Sequence, residues 1–338
     1  MGLLRRLFSR KRPRRSEAQR ALRYVWRSLS FGAEFGRPPR IELPDALLLQ
    51  FGKVASTSLQ AAIRAAGYNA LHCHALSEEA LAAEQSRLLL SPARARITGI
   101  LFRRLVRLSA TRLLLNWYRL HKTKDGRRLK IVTLTRDPVN WYRSASIQRL
   151  STDPSPVLAW QAARSPSQAP QLETALAGLL QEVMTRVVAL RPSADCPGAI
   201  AEARRILDQA GPDAQLVALE TRRALGSLDW FDREIRHLCG FDLQAAPQFR
   251  THGFAQFETD FAEGLVLRYE ALQELLPQLA QFLGRSAIEL PRMNITEGKP
   301  VAPEIERVFR DALQTPLGIA FARELRGTPY ARACGYDG

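Results

Sequence analysis

Two short stretches of the chain hold the residues best suited to gripping a phosphate or sulfate group. The first is Phe51-Gly-Lys-Val-Ala-Ser-Thr-Ser58, set between a short apolar run and a helical pattern. Such a turn is an anion site. Backbone amides at a helix N-terminus point outward and the helix dipole adds to them. The hydroxyls of Ser56, Thr57 and Ser58 are further donors, and Gly52, Val54 and Ala55 supply the rest of the backbone cradle. Lys53 adds a point charge on a flexible stem. A nucleotide triphosphatase would carry G-x-x-x-x-G-K-[ST]. Here no glycine stands in the four residues before Gly52, and Val54 occupies the place of the magnesium-binding hydroxyl. The loop suits phosphate, and no metal is expected. Taken alone, the same residues fit a capped helix with an exposed lysine equally well.

The second stretch is Arg136-Asp-Pro138, with Ser144 eight residues after Arg136. Arg136 can grip a phosphate through charge-assisted bonds and Ser144 through its hydroxyl. The bland alternative pairs Arg136 with Asp137 and leaves Ser144 merely exposed. The two stretches gain force together, because each follows a strand-like run and about eighty residues separate them. Transfer to a hydroxyl also needs a proton acceptor within hydrogen-bond reach. His72 and His74, in Leu71-His-Cys-His-Ala-Leu76, lie at i, i+2 spacing and so on one face of a strand. His121 and His252 are the alternatives.

The elements that must carry these residues are those of an α/β fold. Ala46–Phe51 reads as a buried parallel strand, and Thr57–Ala66 as a helix stopped by Gly67. Asn69–His74 reads as a second strand. Ser77 caps a helix opened by Glu78 and Glu79. Residues 93–120 read as a long basic helix leading to the turn Lys124-Asp-Gly126. Lys130–Thr135 is the clearest strand, and Pro138 suits the first turn of the helix after it. Residues 151–170, rich in Ser, Pro and Ala, read as a loop or flexible insert. Helical patterns follow from Gln171 to Gly240. Gly264–Tyr269 reads as a last strand, Glu270–Phe282 as a helix and Ala302–Arg326 as the C-terminal helix. The expected fold is a P-loop-like three-layer α/β domain over residues 41–338. It has a central, mainly parallel sheet flanked by helices and a mostly helical insert at about 151–228.

Composition, at 46% hydrophobic and 24% charged, is that of a folded domain. No run approaches the roughly 18–20 apolar residues of a membrane-spanning helix; Ile100–Leu115 is interrupted by Arg103, Arg104, Arg107 and Arg112. The net charge of +16 is uneven, since residues 1–40 hold twelve Lys or Arg against Glu17 and Glu34. This arm reads as a solvated tail or, through Leu3, Leu4, Leu7 and Phe8, as an attachment to an anionic membrane surface. It lacks interleaved stacking aromatics, so nucleic acid is not expected as a partner. Cys73, Cys196, Cys239 and Cys334 form no C-x-x-C pair. That excludes a zinc ribbon and points to a reducing cytoplasm, with peripheral attachment at the inner membrane face as the sharper reading of the arm.

Gly52-Lys-Val-Ala-Ser-Thr-Ser58 resembles the 5′-phosphosulfate loop of carbohydrate sulfotransferases that use 3′-phosphoadenosine 5′-phosphosulfate (PAPS); the heparan sulfate 2-O-sulfotransferases carry a very similar run. Arg136-Asp-Pro-Val-Asn-Trp-Tyr-Arg-Ser144 resembles the 3′-phosphate element of the same superfamily. Trp230–Glu234, Gly240–Asp242 and Gly264–Leu272 are similar to bacterial putative capsular polysaccharide synthesis proteins. The resemblance covers roughly residues 45–150 and 228–300. It implies sulfuryl transfer from PAPS to a hydroxyl of a glycan. Lys53 would contact the sulfate and the bridging oxygen, and Ser56, Thr57 and Ser58 the 5′-phosphosulfate. Arg136 and Ser144 would hold the 3′-phosphate, while Thr296 and Lys299 lie where the family places a loop over the adenosine. His74, with His72 beside it, is the first choice for the base. Arg94, Arg96, Arg103, Arg104 and Arg107 are candidates for facing an anionic acceptor. Trp117, Tyr118, Trp141 and Tyr142 are candidates for stacking on sugar rings or for packing. The competing readings are a P-loop phosphotransferase and a silent nucleotide- or polysaccharide-binding relative at a membrane surface.

Overall fold

The computed structural model describes residues 44–82, 105, 108–109, 111–116, 118–120, 128–167, 169–291 and 301–337. The basic arm, the turn at Lys124, His121, Thr296, Lys299, Trp117 and the arginines at 94, 96, 103, 104 and 107 lie outside the described residues. The chain divides into two compact units, one of residues 1–44 and 75–127 and the other of residues 45–74 and 128–338. In the first unit Ser77 caps its helix by accepting the Ala80 amide at 3.3 Å. The Arg112 guanidinium donates to the Leu76 carbonyl and to Glu78, both at 3.1 Å. Tyr118 is buried and donates its hydroxyl to the Pro44 carbonyl at 3.0 Å, so it packs and does not present a ring to a ligand.

The second unit is α/β, a five-stranded and mostly parallel sheet flanked by helices. Its strands are β1 (Ala46–Leu49), β2 (Ala70–Cys73), β3 (Leu129–Thr135), β4 (Phe254–Glu258) and β5 (Ala262–Arg268). They stand in the order β2-β1-β3-β5-β4. The first four in that order run parallel, and β4 is antiparallel to β5. The apolar run Ala46-Leu-Leu-Leu49 is wholly buried, as a central parallel strand requires. Helix α1 (Ser56–Ala65) follows β1 and buries Leu59, Ala62 and Ile63. Gly67 ends it at φ 91°, a left-handed conformation that glycine adopts without strain.

After β3 come α2 (Pro138–Leu150), α3 (Ser155–Arg164), α4 (Leu172–Leu190), α5 (Cys196–Gln209) and α6 (Pro212–Leu225). A π-helical turn at Asp232–Arg236 then runs into α7 (His237–Cys239) and α8 (Pro247–His252). Beyond β5 lie α9 (Leu276–Phe282), α10 (Ala302–Gln314), α11 (Pro316–Arg326) and α12 (Pro329–Cys334). Residues of α2 to α6, α10 and α11 share one apolar core, to which α4 contributes Leu176, Leu180, Val183 and Val187. Leu48, Val132 and Leu265 of the sheet share a second core with Leu59 and Ile63 of α1 and Leu279 of α9.

Four expectations change. The Ser/Pro-rich stretch expected as a loop contains α3, started by prolines in its first turn and anchored by the buried Val157. The single C-terminal helix is two, because Pro316 cannot continue α10; Thr315 ends one helix and caps the next, accepting the Gly318 amide at 3.0 Å. The helix expected over Glu270–Phe282 is a 3₁₀ turn at Tyr269–Ala271 followed by α9. Strand β4 was not expected at all. It lies across from β5 with Phe257 opposite Gly264, and a β-carbon on that glycine would sit 1.9 Å from the Phe257 ring. Glycine there leaves the space the aromatic fills.

Candidate functional site

β2 and β3 lie on opposite sides of β1, so the connections reverse direction at the β1–β3 boundary. In open α/β sheets the crevice beyond the carboxyl ends of such strands is where ligands bind. The Gly52 loop leaves β1 at that point and Arg136 leaves β3 beside it.

Three non-glycine residues among those described have positive φ, and two of them, Lys53 (68°) and Ala55 (55°), are in this loop. Left-handed torsions on residues with a β-carbon cost about 1–3 kcal/mol each, and they persist only where the surroundings hold them. The holders are visible. The Trp141 indole nitrogen donates to the Gly52 carbonyl at 2.6 Å, and the Arg136 guanidinium donates to the Lys53 carbonyl. Phe51 packs on Trp141 with ring centroids 4.2 Å apart. Val54 is buried in the core under the loop. Ala55 occupies the N-cap of α1 and offers no side-chain acceptor to the first turn. α2 contrasts with it, since Asp137 caps that helix by accepting the Asn140 amide at 2.8 Å. Thr57 is exposed, whereas Ser56 and Ser58 are nearly buried at 9% and 6% exposure.

Arg136 joins the two predicted anion motifs physically. Its guanidinium lies 4.4 Å from the centre of the Tyr269 ring and reaches the Lys53 carbonyl. Its Nε is buried with no hydrogen-bond partner among the described residues. Burial lowers its pKa, Tyr269 and Glu270 raise it, and the neighbouring Arg143 lowers it again. An arginine guanidinium is not deprotonated in a protein, so the group stays cationic. The structure thus shows Arg136 fastening the loop, which the sequence does not announce. Ser144 is half-buried on α2, two turns on from Arg136.

His74 stands just past β2, exposed, and accompanies His72, which is 9% exposed; their rings meet edge to face at 4.4 Å. His74 Nδ1 lies 2.9 Å from the Gln50 carbonyl. A carbonyl only accepts, so Nδ1 carries the proton and Nε2 is the basic nitrogen. The ring packs beside Gly52, where an added β-carbon would lie 3.8 Å from it. Trp230 fixes the same corner by donating to the His74 carbonyl at 2.8 Å. His252 is exposed at the end of α8, next to the outer strand β4, which β3 and β5 separate from β1.

Trp141 and Tyr142 are packing residues. Trp141 is 6% exposed and holds the loop, while Tyr142 is 2% exposed against Phe309 and Phe321. Several residues around the Gly52 loop, Arg136 and His74 carried no role in the sequence reading: Gln50, Trp230, Tyr269, Glu270, Tyr330 and Tyr336. Gln50 is fully buried at the end of β1, and neither its amide oxygen nor its nitrogen has a partner among the described residues. A polar residue ending the apolar run Leu47-Leu-Leu49 is the signal that could have marked it. A separate cavity of about 540 Å³ opens between α3 and α4, lined by Trp160, Arg164, Gln181 and Glu182, and no predicted site residue lines it.

Among the described residues no group of three or more His, Cys, Asp or Glu is arranged to hold a metal ion, and no helix is long and apolar enough to cross a membrane. Compared with known proteins, the chain matches no family model, no curated protein and no solved structure.

Proposed function

We propose that this crevice binds PAPS and transfers its sulfuryl group to a hydroxyl of a carbohydrate, on a fold related to P-loop proteins. The observation that carries the reading is the contact between the two anion motifs: Arg136, beyond β3, fastens the Lys53 carbonyl of the strained loop beyond β1. The sequence motifs alone give the type of each residue; their meeting at the switch point supports one ligand with phosphates at both ends. The residues fit such a donor. The N-terminus of α1, which has no side-chain cap, and the Lys53 ammonium suit the 5′-phosphosulfate, the half-buried guanidinium of Arg136 with Ser144 suits the 3′-phosphate, and the Nε2 of His74 suits a proton acceptor.

In the proposed transfer, the acceptor oxygen forms a bond to sulfur as the bond from sulfur to the bridging phosphate oxygen breaks. The electron pair leaves on that oxygen. The acceptor proton passes to His74, and Lys53 offsets the charge developing on the leaving phosphate. Thr296 and Lys299 remain assigned to the adenosine, and residues 1–40 to an anionic membrane surface at the cytoplasmic face.

A thermal-shift titration with 3′,5′-adenosine bisphosphate (PAP), PAPS and ATP tests the reading. Stabilisation by PAP in the presence of a chelator is expected. A response confined to ATP with magnesium would instead identify a phosphotransferase, and the absence of any nucleotide response would remove the reading altogether.

A further inference from the structure

The C-terminal segment reaches back to the sheet edge in a way that bears on Arg136. Strand β3 ends at Thr135, and its pairing with β5 ends there too, so the Arg136 backbone lies one residue beyond the ladder. Its amide donates instead to the Tyr330 hydroxyl at 3.2 Å, and the same hydroxyl donates to the Arg136 carbonyl at 3.2 Å. Tyr330 is 194 residues away in sequence, on α12. The neighbouring residues are held from the same side. Tyr336 donates to Glu270 Oε2 at 2.8 Å and lies 3.0 Å from Thr135 Oγ1. Glu270 Oε1 accepts the Asp137 amide at 2.9 Å, and Arg326 Nε donates to Asp137 Oδ2 at 2.8 Å. Burial raises the pKa of both tyrosines, so their hydroxyls stay protonated and able to donate.

We infer that Tyr330, with Tyr336 behind it, is a positioning residue for the 3′-phosphate, fixing the Arg136 peptide so that its guanidinium stands between the Tyr269 ring and the Lys53 carbonyl. This rests on the proposed reading of Arg136. A hydroxyl that accepts from a residue's amide and donates to its carbonyl ties down the two peptide groups on either side of the α-carbon, and the arginine side chain inherits the result. Packing alone would be served equally well by phenylalanine, because the ring contributes the packing area while the hydroxyl contributes the two backbone bonds and a hydrogen bond with the Cys334 thiol. The tail therefore acts as part of the donor site, although no residue of α12 is asked to touch the ligand.

The test is Tyr330→Phe in the full chain, measured by calorimetric titration with PAP and with 5′-AMP under a chelator. Wild type should prefer PAP. The variant should bind PAP about five- to tenfold more weakly while AMP stays within about twofold, the size of one neutral hydrogen-bonding group. In turnover, KM for PAPS should rise and kcat at saturation should hold, since Lys53 and His74 are untouched. Equal weakening of PAP and AMP, or no weakening, would overturn the inference while leaving the function intact. A wild type that shows no preference for PAP would overturn the reading of Arg136 and the inference with it. Should Tyr330→Phe fail to fold, the same comparison on Tyr336→Phe decides, with a smaller loss of PAP preference expected and an unchanged preference counting against.

Discussion

Replacing Arg136 by alanine perturbs two things at once, and the structure allows them to be separated. Without ligand, the change removes the charge-assisted bond to the Lys53 carbonyl and the stacking on Tyr269. Such a bond contributes about 1.5–3 kcal/mol and a partly desolvated cation–π pair about 1 kcal/mol. Against this stands the cost of burying the guanidinium, the largest influence on its pKa. The net loss of stability should be about 1–3 kcal/mol, read as a lower midpoint in urea at unchanged slope. With ligand, the proposed contact to the 3′-phosphate would go as well, worth another ~1.5–3 kcal/mol, which is roughly a 10- to 150-fold loss of affinity. A slackened loop weakens every nucleotide somewhat, so the decisive quantity is the ratio of PAP to AMP affinity. Calorimetric titration of both ligands should show that ratio falling at least tenfold in Arg136→Ala. An unchanged ratio would refute the assignment and reduce Arg136 to a strut of the loop.

Lys53→Ala should fold normally and lose most turnover, because its ammonium is assigned to charge that develops during transfer; single-turnover rates near wild type would remove it from the site. His74→Ala should lower kcat about 100- to 10,000-fold with PAP affinity within twofold. An unaffected rate would redirect the search to His121 and His252. Gly264→Ala should destabilise the sheet by about 1–3 kcal/mol, since its methyl must displace the Phe257 ring, and a wild-type melting temperature would contradict the β4–β5 register. Burial raises the pKa of Asp229 despite its 2.8 Å pairing with Arg233. A carboxyl whose folded pKa is raised binds its proton more tightly when folded, so its cost is greatest at neutral pH and is relieved as pH falls through that pKa. Asp229→Asn should therefore compare more favourably with wild type at pH 7 than at pH 4.5 in thermal melts; the opposite trend would contradict the sign.

What was legible in the sequence follows from how local each signal is. β1, α1 and β3 are short apolar or periodic runs closed by strong punctuation, and their residues carry the pattern without help from elsewhere. β4 was hidden because Phe254-Ala-Gln-Phe-Glu258 lies at the edge of the sheet and is half polar. α3 was hidden because its prolines read as loop residues, although at a helix start they are pre-organised for it. The break at Pro316 was masked by apolar spacing that continues through it from Phe309 to Phe321. In the site, the residue types of the two anion motifs could be read directly, and so could the spacing of His72 and His74. The contact between Arg136 and Lys53 could not, since it exists only because β1 and β3 pair in parallel with Leu48 opposite Val132. Tyr330 and Tyr336 were further out of reach, because nothing local to a C-terminal helix says that it returns to a strand end almost two hundred residues earlier.

The central claim is transfer of a sulfuryl group, and it is tested most directly with sulfur-labelled PAPS. The full chain would be incubated under a chelator with a panel of hydroxyl-bearing polysaccharides, and PAP release and label in the glycan would be followed together. The account predicts label in at least one glycan in equal amounts to the PAP released, with both lost in Lys53→Ala. PAP release without label in any glycan, or label transfer that survives Lys53→Ala, would contradict it.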